Sequence, residues 1–331
     1  MAGLVRLRAT MYITLALIFA IAFGIIYAVM AYIGFGILVV LPITFLFFLF
    51  QWYLSPVLMG AMSRLKYLEP GERQGLQDTV KRLAEQAGVP VPRVAISPRQ
   101  DPNAYVFGRT RSSSTLVIHQ GLLPMLNDAE MESVLAHEIG HLRHNDVAIM
   151  MVVSFLPMLL YIIAQNMIFT GAFGGGRGNS GNAAAIGWGA LVFYFILQLM
   201  TLALSRARES FADEYSATTV KKPQNLASSL LKISAYNVNP PSGVQQQAPA
   251  SSAAKALYFA NPFTSAEEIQ EIKNHEADLK ELLPDLNIDR FIRQMQGEST
   301  GAHAIANIFS NHPPIWRRVL DLAELNRQMK G

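Results

Sequence analysis

The chain has 331 residues, no cysteine and a formal net charge of +3 at pH 7. Hydrophobic residues make up 51% and charged residues only 15%. That balance, with a mean hydropathy of +0.25, excludes an ordinary soluble protein and points to a membrane protein. Without cysteine there is no disulfide framework, and any zinc must be held by His and carboxylate. The small net charge comes with no basic face interleaved with aromatics, so nucleic acid is not an expected partner.

Residues 9–63 contain no Asp, Glu, Lys, Arg or His. One spanning helix needs ~20 apolar residues, so the stretch holds two. They are expected near Met11–Tyr32 and Gly36–Tyr53, with a tight turn at Ile33-Gly34-Phe35. The run is far too long for a cleaved signal peptide. Trp52 and Tyr53 suit a water interface, and Pro42 is expected to kink the second helix. Residues 1–63 are therefore read as a transmembrane hairpin.

Residues 64–146 read as a soluble piece. Segment 74–88 has helical spacing and ends at Gly88. Val89–Ile96, Ala104–Gly108 and Ser114–His119 are short, rich in Val, Ile, Phe and Tyr, and separated by turn residues, which predicts a small β-sheet. Asn127-Asp128-Ala129-Glu130 is an N-cap with its capping glutamate. It opens a helix that is expected to run to Asn145 and on toward a third span.

Val147–Thr170, with Pro157 in its middle, and Ala184–Ser205 are the third and fourth spans, so 147–205 forms a second hairpin. The glycine-rich stretch 171–182 between them lacks the G-K-[ST] of a phosphate loop and reads as a flexible extramembrane connection. Arg6 and Arg8 precede the first span, Arg64 and Lys66 follow the second, Arg143 precedes the third, and Arg206 and Arg208 follow the fourth. This bias places both termini in the cytosol, together with the pieces 64–146 and 206–331, which can then form one domain. Gln245–Ala253 is a low-complexity loop, and the chain from Ser265 onward reads mostly as helices.

The chemistry is concentrated in His137-Glu138-Ile139-Gly140-His141, an H-E-x-x-H pattern. Two histidines four apart on a helix share a face, about one turn apart, and their imidazoles can converge on one zinc. The glutamate next to the first is rotated by ~100°, which puts it beside the metal, where it can take a proton from a bound water. The pattern points to metal-assisted hydrolysis, most often of peptide bonds. Its bland counterpart is a surface helix with two unrelated histidines.

A catalytic zinc takes three protein ligands and leaves a place for water. His144 shares the face, but seven residues span ~10.5 Å along the axis, too far for one ion unless the helix breaks there. His144 is thus expected to be a solvated neighbour. Glu209, in Arg206-Ala207-Arg208-Glu209-Ser210-Phe211-Ala212-Asp213, is the better candidate, folding back just past the fourth span. Asp213 lies one turn further on the same face, where a carboxylate can accept the free ring N–H of a ligand histidine. Spacing alone leaves a solvated helix face equally open for this pair. His119, His275 and His303 are expected to be structural or solvated.

In this order of motifs the chain resembles the HtpX-type membrane zinc metalloproteases. The resemblance extends over nearly the whole chain. It comprises the N-terminal hairpin, Asn103-Ala104-Tyr105-Val106-Phe107-Gly108, His137–His141 followed by Asp146, two further spans, Arg208–Asp213, and His312-Pro313-Pro314 with Arg318. It implies a mainly α membrane protein of four transmembrane helices with a cytosolic α+β, gluzincin-like zinc metallopeptidase domain. It implies one zinc held by His137, His141 and Glu209, with Glu138 as general base. It implies a substrate-binding edge strand at Asn103, Ala104, Tyr105 and Val106, and His312 and Arg318 flanking the cleft. From these two an oxyanion-stabilising role is expected. For Asp146 no physical role follows beyond ending the helix.

The expected function is a zinc endopeptidase of the cell membrane, part of stress response and protein quality control, acting on misfolded membrane proteins or unfolded polypeptides beside the lipid bilayer. Two rivals stand. One is an intramembrane site-2-type protease, disfavoured because the motif lies outside an apolar run. The other is a zinc-stabilised scaffold or chaperone without turnover, disfavoured by an intact Glu138.

Overall fold

The structure is a computed structural model. It describes residues 12–21, 23–25, 27, 37–173, 180–238, 273–282, 284 and 312–330. The expected turn at Ile33–Phe35, the Gln245–Ala253 loop, His303 and the basic residues Arg6 and Arg8 lie outside them.

In chain order the helices are α1 (Tyr12–Ile25), α2 (Ile37–Met62), α3 (Gln74–Ala87), α4 (Asp128–Arg143), α5 (Asp146–Phe173), α6 (Ser180–Val220), α7 (Pro223–Val238), α8 (Glu276–Leu282) and α9 (Ile315–Lys330). The strands are β1 (Lys66–Tyr67), β2 (Arg93–Ser97), β3 (Ala104–Phe107) and β4 (Thr115–His119). The chain divides into two compact units. One comprises Met1–Val57 with Ala148–Ala207, the other Leu58–Val147 with Arg208–Gly331.

The first unit is helical. Ile18 of α1, Val153, Phe155, Leu156, Leu160 and Ala164 of α5, and Ala190, Leu197 and Leu204 of α6 form its buried core. Phe48 of α2 meets Phe155 edge-on, ring centroids 5.5 Å apart. Helix α2 runs through both Pro42 and Pro56. Among the described residues, two helices are long and apolar enough to cross a membrane, over Asp146–Phe169 and Asn182–Val220. The exposed large apolar side chains, Phe45, Phe50, Phe169, Trp188 and Phe193 among them, lie in this unit, with Val91 and Met329 the exceptions among the described residues. A water-soluble surface does not carry such a concentration; a lipid-facing one does.

The second unit is built on a four-stranded mixed sheet in the order β1-β2-β4-β3. β2 and β4 are parallel, while β1 and β3 run antiparallel to their neighbours. Side chains alternate between faces. Val94, Ala104, Val106, Leu116 and Ile118 join the core shared with α3, α4, α7 and α9. Ala95, Tyr105, Phe107 and Val117 form a cluster on the other face with Met59, Leu65 and Tyr67. Strand β2 begins at Arg93 rather than at the expected Val89, because Pro90 and Pro92 have no backbone N–H for a ladder. The two-residue β1 is too short to leave a periodic signature. Helix α3 ends where expected, at Gly88, whose φ of 66° lets its N–H turn back onto the carbonyls of Ala84 and Glu85.

Helix α4 carries the H-E-x-x-H residues. Its capping box is formed as the sequence predicts: the Glu130 N–H donates to Asn127 Oδ1 at 2.9 Å and the Asn127 N–H to Glu130 Oε2 at 3.0 Å. Glu130 also receives Ser228 Oγ at 2.6 Å and Lys232 Nζ at 2.7 Å, so the same carboxylate anchors the start of α4 to α7. The far end differs from expectation. Helix α4 stops at Arg143, and Asn145 adopts φ 61°, so the chain turns before α5 begins. Asparagine tolerates this left-handed conformation better than most side chains. Helix α6 departs in the other direction. It does not fold back after Ser205 but continues unbroken to Val220, past Glu209 and Asp213. Residues 206–220 contain neither Gly nor Pro. The ends of the glycine-rich stretch are also helical, Gly171–Phe173 in α5 and Ser180–Asn182 in α6.

Candidate metal centre

Helices α4 and α6 approach closely at Gly140, which has no side chain. Gly140 of α4 faces the backbone of Ala212 and the ring of Tyr215. An added Cβ would stand 3.3 Å from Ala212 Cα and 3.1 Å from Tyr215 Cδ1. About two turns before Gly140, a buried polar contact also ties the two helices together: Ser216 Oγ donates to the Ser133 carbonyl at 2.6 Å. This approach brings the α6 carboxylates to the α4 histidines.

His137 and His141 turn their Nε2 atoms to each other at 3.1 Å. Glu209 completes the triangle, Oε2 lying 3.6 Å from His137 Nε2 and Oε1 3.4 Å from His141 Nε2. Three ligands bound at ~2.0–2.2 Å around a tetrahedral ion would stand about 3.3–3.6 Å apart, so the triangle is the right size for one metal. Among the described residues these three form the one His/Asp/Glu group with ligand atoms close enough to share an ion.

The outer faces of the histidines support the same reading. His137 Nδ1 is 2.9 Å from Asp213 Oδ1, and His141 Nδ1 is 2.7 Å from Asp146 Oδ2. A carboxylate on Nδ1 holds the proton there and leaves the Nε2 lone pair facing inward. Two inward lone pairs at 3.1 Å repel unless a cation lies between them, and two inward N–H groups would collide.

Charge gives a third argument. Glu138, Glu209, Asp213 and Asp146 are all buried, as are Arg208 and Arg318. Four carboxylates against two guanidinium groups leave two negative charges in a dry region, where an uncompensated charge is costly. A divalent cation restores neutrality. The residues present thus fit a zinc site by size, tautomer and charge.

The remaining site residues gather here. Arg318, at the start of α9, forks onto Asp213, Nε to Oδ2 at 2.8 Å and Nη2 to Oδ1 at 2.7 Å, and its Nη1 lies 3.5 Å from Glu209 Oε2. His312 Nδ1 stands 3.0 Å from the same Glu209 oxygen. Both were expected to face the reaction directly. Instead the Arg318 fork and one His312 nitrogen hold the carboxylates that surround the metal position. Glu138 ligates nothing in the triangle. Burial pushes its carboxyl up to about 6, against the pull of His141 and His137.

Asn103–Val106 lie at and just before β3, the strand at one end of the sheet, which packs against α4. Among the described residues no strand pairs with its other side. The Asn103 carbonyl accepts the His119 N–H at 2.9 Å.

Three expectations change. His144 is not a solvated neighbour: it caps α4, which ends at Arg143, and its ring packs near Phe211 and Tyr215, at centroid distances of 5.8 and 6.1 Å. Asp146 does more than end a helix, since it reaches His141. Arg208 was read only as a topogenic charge, yet its Nε lies 2.9 Å from Asp146 Oδ1. No periodicity signals this pair, because it depends on the reversal at Asn145. The other described histidines, His119 and His275, make structural contacts. His119 Nδ1 meets the Asp101 carbonyl at 2.9 Å and its carboxylate at 3.1 Å, and His275 stacks on Trp316 at 6.4 Å.

The chain is similar to known proteins over most of its length. The profile of peptidase family M48 matches residues 70–326. A "Protease HtpX homolog" of Thermoplasma acidophilum is 30% identical over 97% of this chain and 98% of its own. Another of that name, from Methanothermobacter thermautotrophicus, is 33% identical over 69% of this chain and 86% of its own. Among solved structures, S. mikatae Ste24p aligns at 20% identity with a TM-score of 0.49, over 96% of this chain and 67% of its own.

The close approach at Gly140 is open to test. Gly140→Leu places a branched side chain where even a Cβ would press on Ala212 and Tyr215, and must separate α4 from α6. The variant is expected to keep its secondary structure by circular dichroism but lose most of its zinc affinity in competition with a chelator. Wild-type affinity would show that the helix spacing does not set the metal triangle.

Proposed function

This chain belongs to peptidase family M48 and is a membrane metalloprotease; from the geometry of its centre we propose that it is a zinc endopeptidase with one zinc per chain, held by His137, His141 and Glu209, with Glu138 as general base. The observation that carries this reading is the three-ligand triangle with a buried, unligated glutamate next to its first histidine.

Zinc bound there would polarise the scissile carbonyl and make the attacking water acidic. Glu138 then takes the proton of that water and returns it to the leaving nitrogen. Its raised affinity for a proton suits a group that must both accept and give one near neutral pH. Asp213, held by Arg318, fixes the His137 ring. His312 steadies Glu209 through Nδ1, and Nε2 is the nitrogen proposed to meet the developing oxyanion.

The chain enters the apolar unit at Ala148, shortly after His141, and leaves it at Ala207, two residues before Glu209. That connectivity supports substrates that are themselves membrane-associated: misfolded membrane proteins or unfolded polypeptides. Such a chain is proposed to add to β3 along Asn103–Val106 through main-chain hydrogen bonds, a mode that asks little of side chains.

The proposed organisation has four spans. Residues 1–63 and 147–205 form two transmembrane hairpins, 64–146 and 206–331 make up the catalytic domain, and the termini and that domain face the cytosol. Its supports are the charge-free α1 and α2 segments, the lipid-suited exposure of the first unit, and the Lys/Arg bias.

Glu138→Gln is expected to retain about one zinc per chain, by the three-ligand logic, and to lose cleavage of an unfolded protein in detergent, as the wild type does with a chelator. A peptide bound to this inactive variant should protect the amides of 103–106 from hydrogen exchange. Loss of zinc, residual turnover, or protection elsewhere would each remove the role assigned.

For His312→Ala the expectation is retained zinc and a kcat lower by about 10²–10³, the usual cost of one oxyanion donor. The exposed Arg317→Ala serves as the control and should change little. Equal rates for the two variants would reject the oxyanion role.

Topology is tested with reporter tags. Tags at residues 1, 246 and 331 should report cytosol, and one at residue 176 the external side. An external signal from position 246 would overturn the orientation.

A further inference from the structure

Asp146 has no place in the H-E-x-x-H chemistry, yet both of its oxygens are engaged at the centre. Oδ2 lies 2.7 Å from Nδ1 of His141, and Oδ1 lies 2.9 Å from Nε of Arg208, the residue immediately before Glu209. Both Asp146 and Arg208 are buried. One carboxylate therefore touches a ligand histidine on α4 and the neighbour of the ligand glutamate on α6.

A continuous helix would forbid this contact. Five residues beyond His141, position 146 would stand about 140° round the axis and ~7.5 Å further along it. The turn after α4 changes the geometry. The His144 N–H closes on the Gly140 carbonyl at 3.0 Å and the Asn145 N–H on Leu142 at 3.1 Å. Asn145 then takes φ 61°, and the chain swings Asp146 back under His141.

The arrangement repeats the one on the other histidine. Asp213 holds His137 Nδ1 and is itself forked by Arg318. Each ligand histidine is thus backed by a buried carboxylate, and each carboxylate by a buried arginine. At Asp213 the arginine makes a two-point hydrogen-bonded fork, and at Asp146 it makes a single close ion pair that offsets the carboxylate's charge.

We propose that Asp146, braced by Arg208, is the positioning residue for His141: it fixes the tautomer and plane of that ligand and thereby sets metal affinity, in the way Asp213 with Arg318 serves His137. The inference rests on the reading of His137, His141 and Glu209 as a zinc site. It also assigns a purpose to the left-handed Asn145, which delivers Asp146 to its place.

The test is metal affinity, measured by competition with a chromophoric chelator on the full-length protein in detergent. It is joined by the visible spectrum of the cobalt(II)-substituted protein, which reports ligand geometry independently of turnover. Asp146→Ala should lower zinc affinity by about 10–100-fold, as loss of such outer partners typically does, and should shift the cobalt bands. Asp146→Asn is isosteric and keeps an acceptor oxygen for the ring N–H while losing the charge; it should fall between wild type and Asp146→Ala. Arg208→Gln should weaken affinity in the same direction but less. At saturating zinc, kcat should drop in Asp146→Ala with KM little changed, because the substrate strand is not touched. Should Asp146→Ala fold poorly, the order of the Asp146→Asn and Arg208→Gln affinities still decides. Wild-type affinity and spectrum in Asp146→Asn and Arg208→Gln, alongside loss of zinc in His141→Ala, would overturn this inference alone. Absence of zinc binding in the wild type would overturn the metal reading and this inference together.

Discussion

The centre is organised by a charge problem. Four carboxylates and two arginines are buried within a few ångströms of two histidines. In a low-dielectric setting such a set holds together only if the charges cancel and each polar atom has a partner. The arginines answer half of the deficit, and a divalent ion suits the rest. The surrounding features follow from this demand. Nδ1 of each histidine meets a carboxylate, which leaves Nε2 facing inward, toward the place where the proposed ion would sit. Arg318 is fully buried because Asp213 must be charged to hold His137.

The backbone meets this demand with two devices. A small residue, Gly140, and a buried serine pair let α4 and α6 approach closely enough for a glutamate on one to reach histidines on the other. A single left-handed residue, Asn145, ends α4 and redirects the chain. At its other end α4 is fastened by Glu130, which closes the capping box and receives groups from α7. The ligand helix is therefore fixed at its start, at its crossing point and at its end. Catalytic geometry asks for that rigidity, since misplacement by an ångström can cost much of the rate.

The two units divide the physical work. One exposes its apolar residues and packs Phe, Leu and Ile among its helices. The other buries them beneath a mixed sheet whose end strand, β3, lies against α4. Three helices, α2, α5 and α6, each run from one unit into the other. Glu209 and Asp213 thus belong to a helix whose earlier part is apolar enough to cross a membrane.

Much of this was legible in the residue order, and for reasons that are local. Periodicity, glycine and the capping pair Asn127 and Glu130 gave α3, α4 and the strands β2, β3 and β4, because those signals act over a few residues. The charge-free runs gave the apolar helices α5 and α6, since hydropathy needs no partner to be read. His137, Glu138 and His141 were legible because four residues make one helical turn. Glu209 and Asp213 were candidates by spacing, and the solvated alternative was open until α6 was seen against α4. His144, Asp146, Arg208 and Arg318 were decided by tertiary structure alone. Their roles depend on where the chain reverses at Asn145 and on which groups come from more than 60 residues away, as Arg208 does for Asp146 and Arg318 for Asp213. Sequence fixes what a residue can donate, accept or ligate; only the packed fold decides which partner, at 2.7–2.9 Å, it meets.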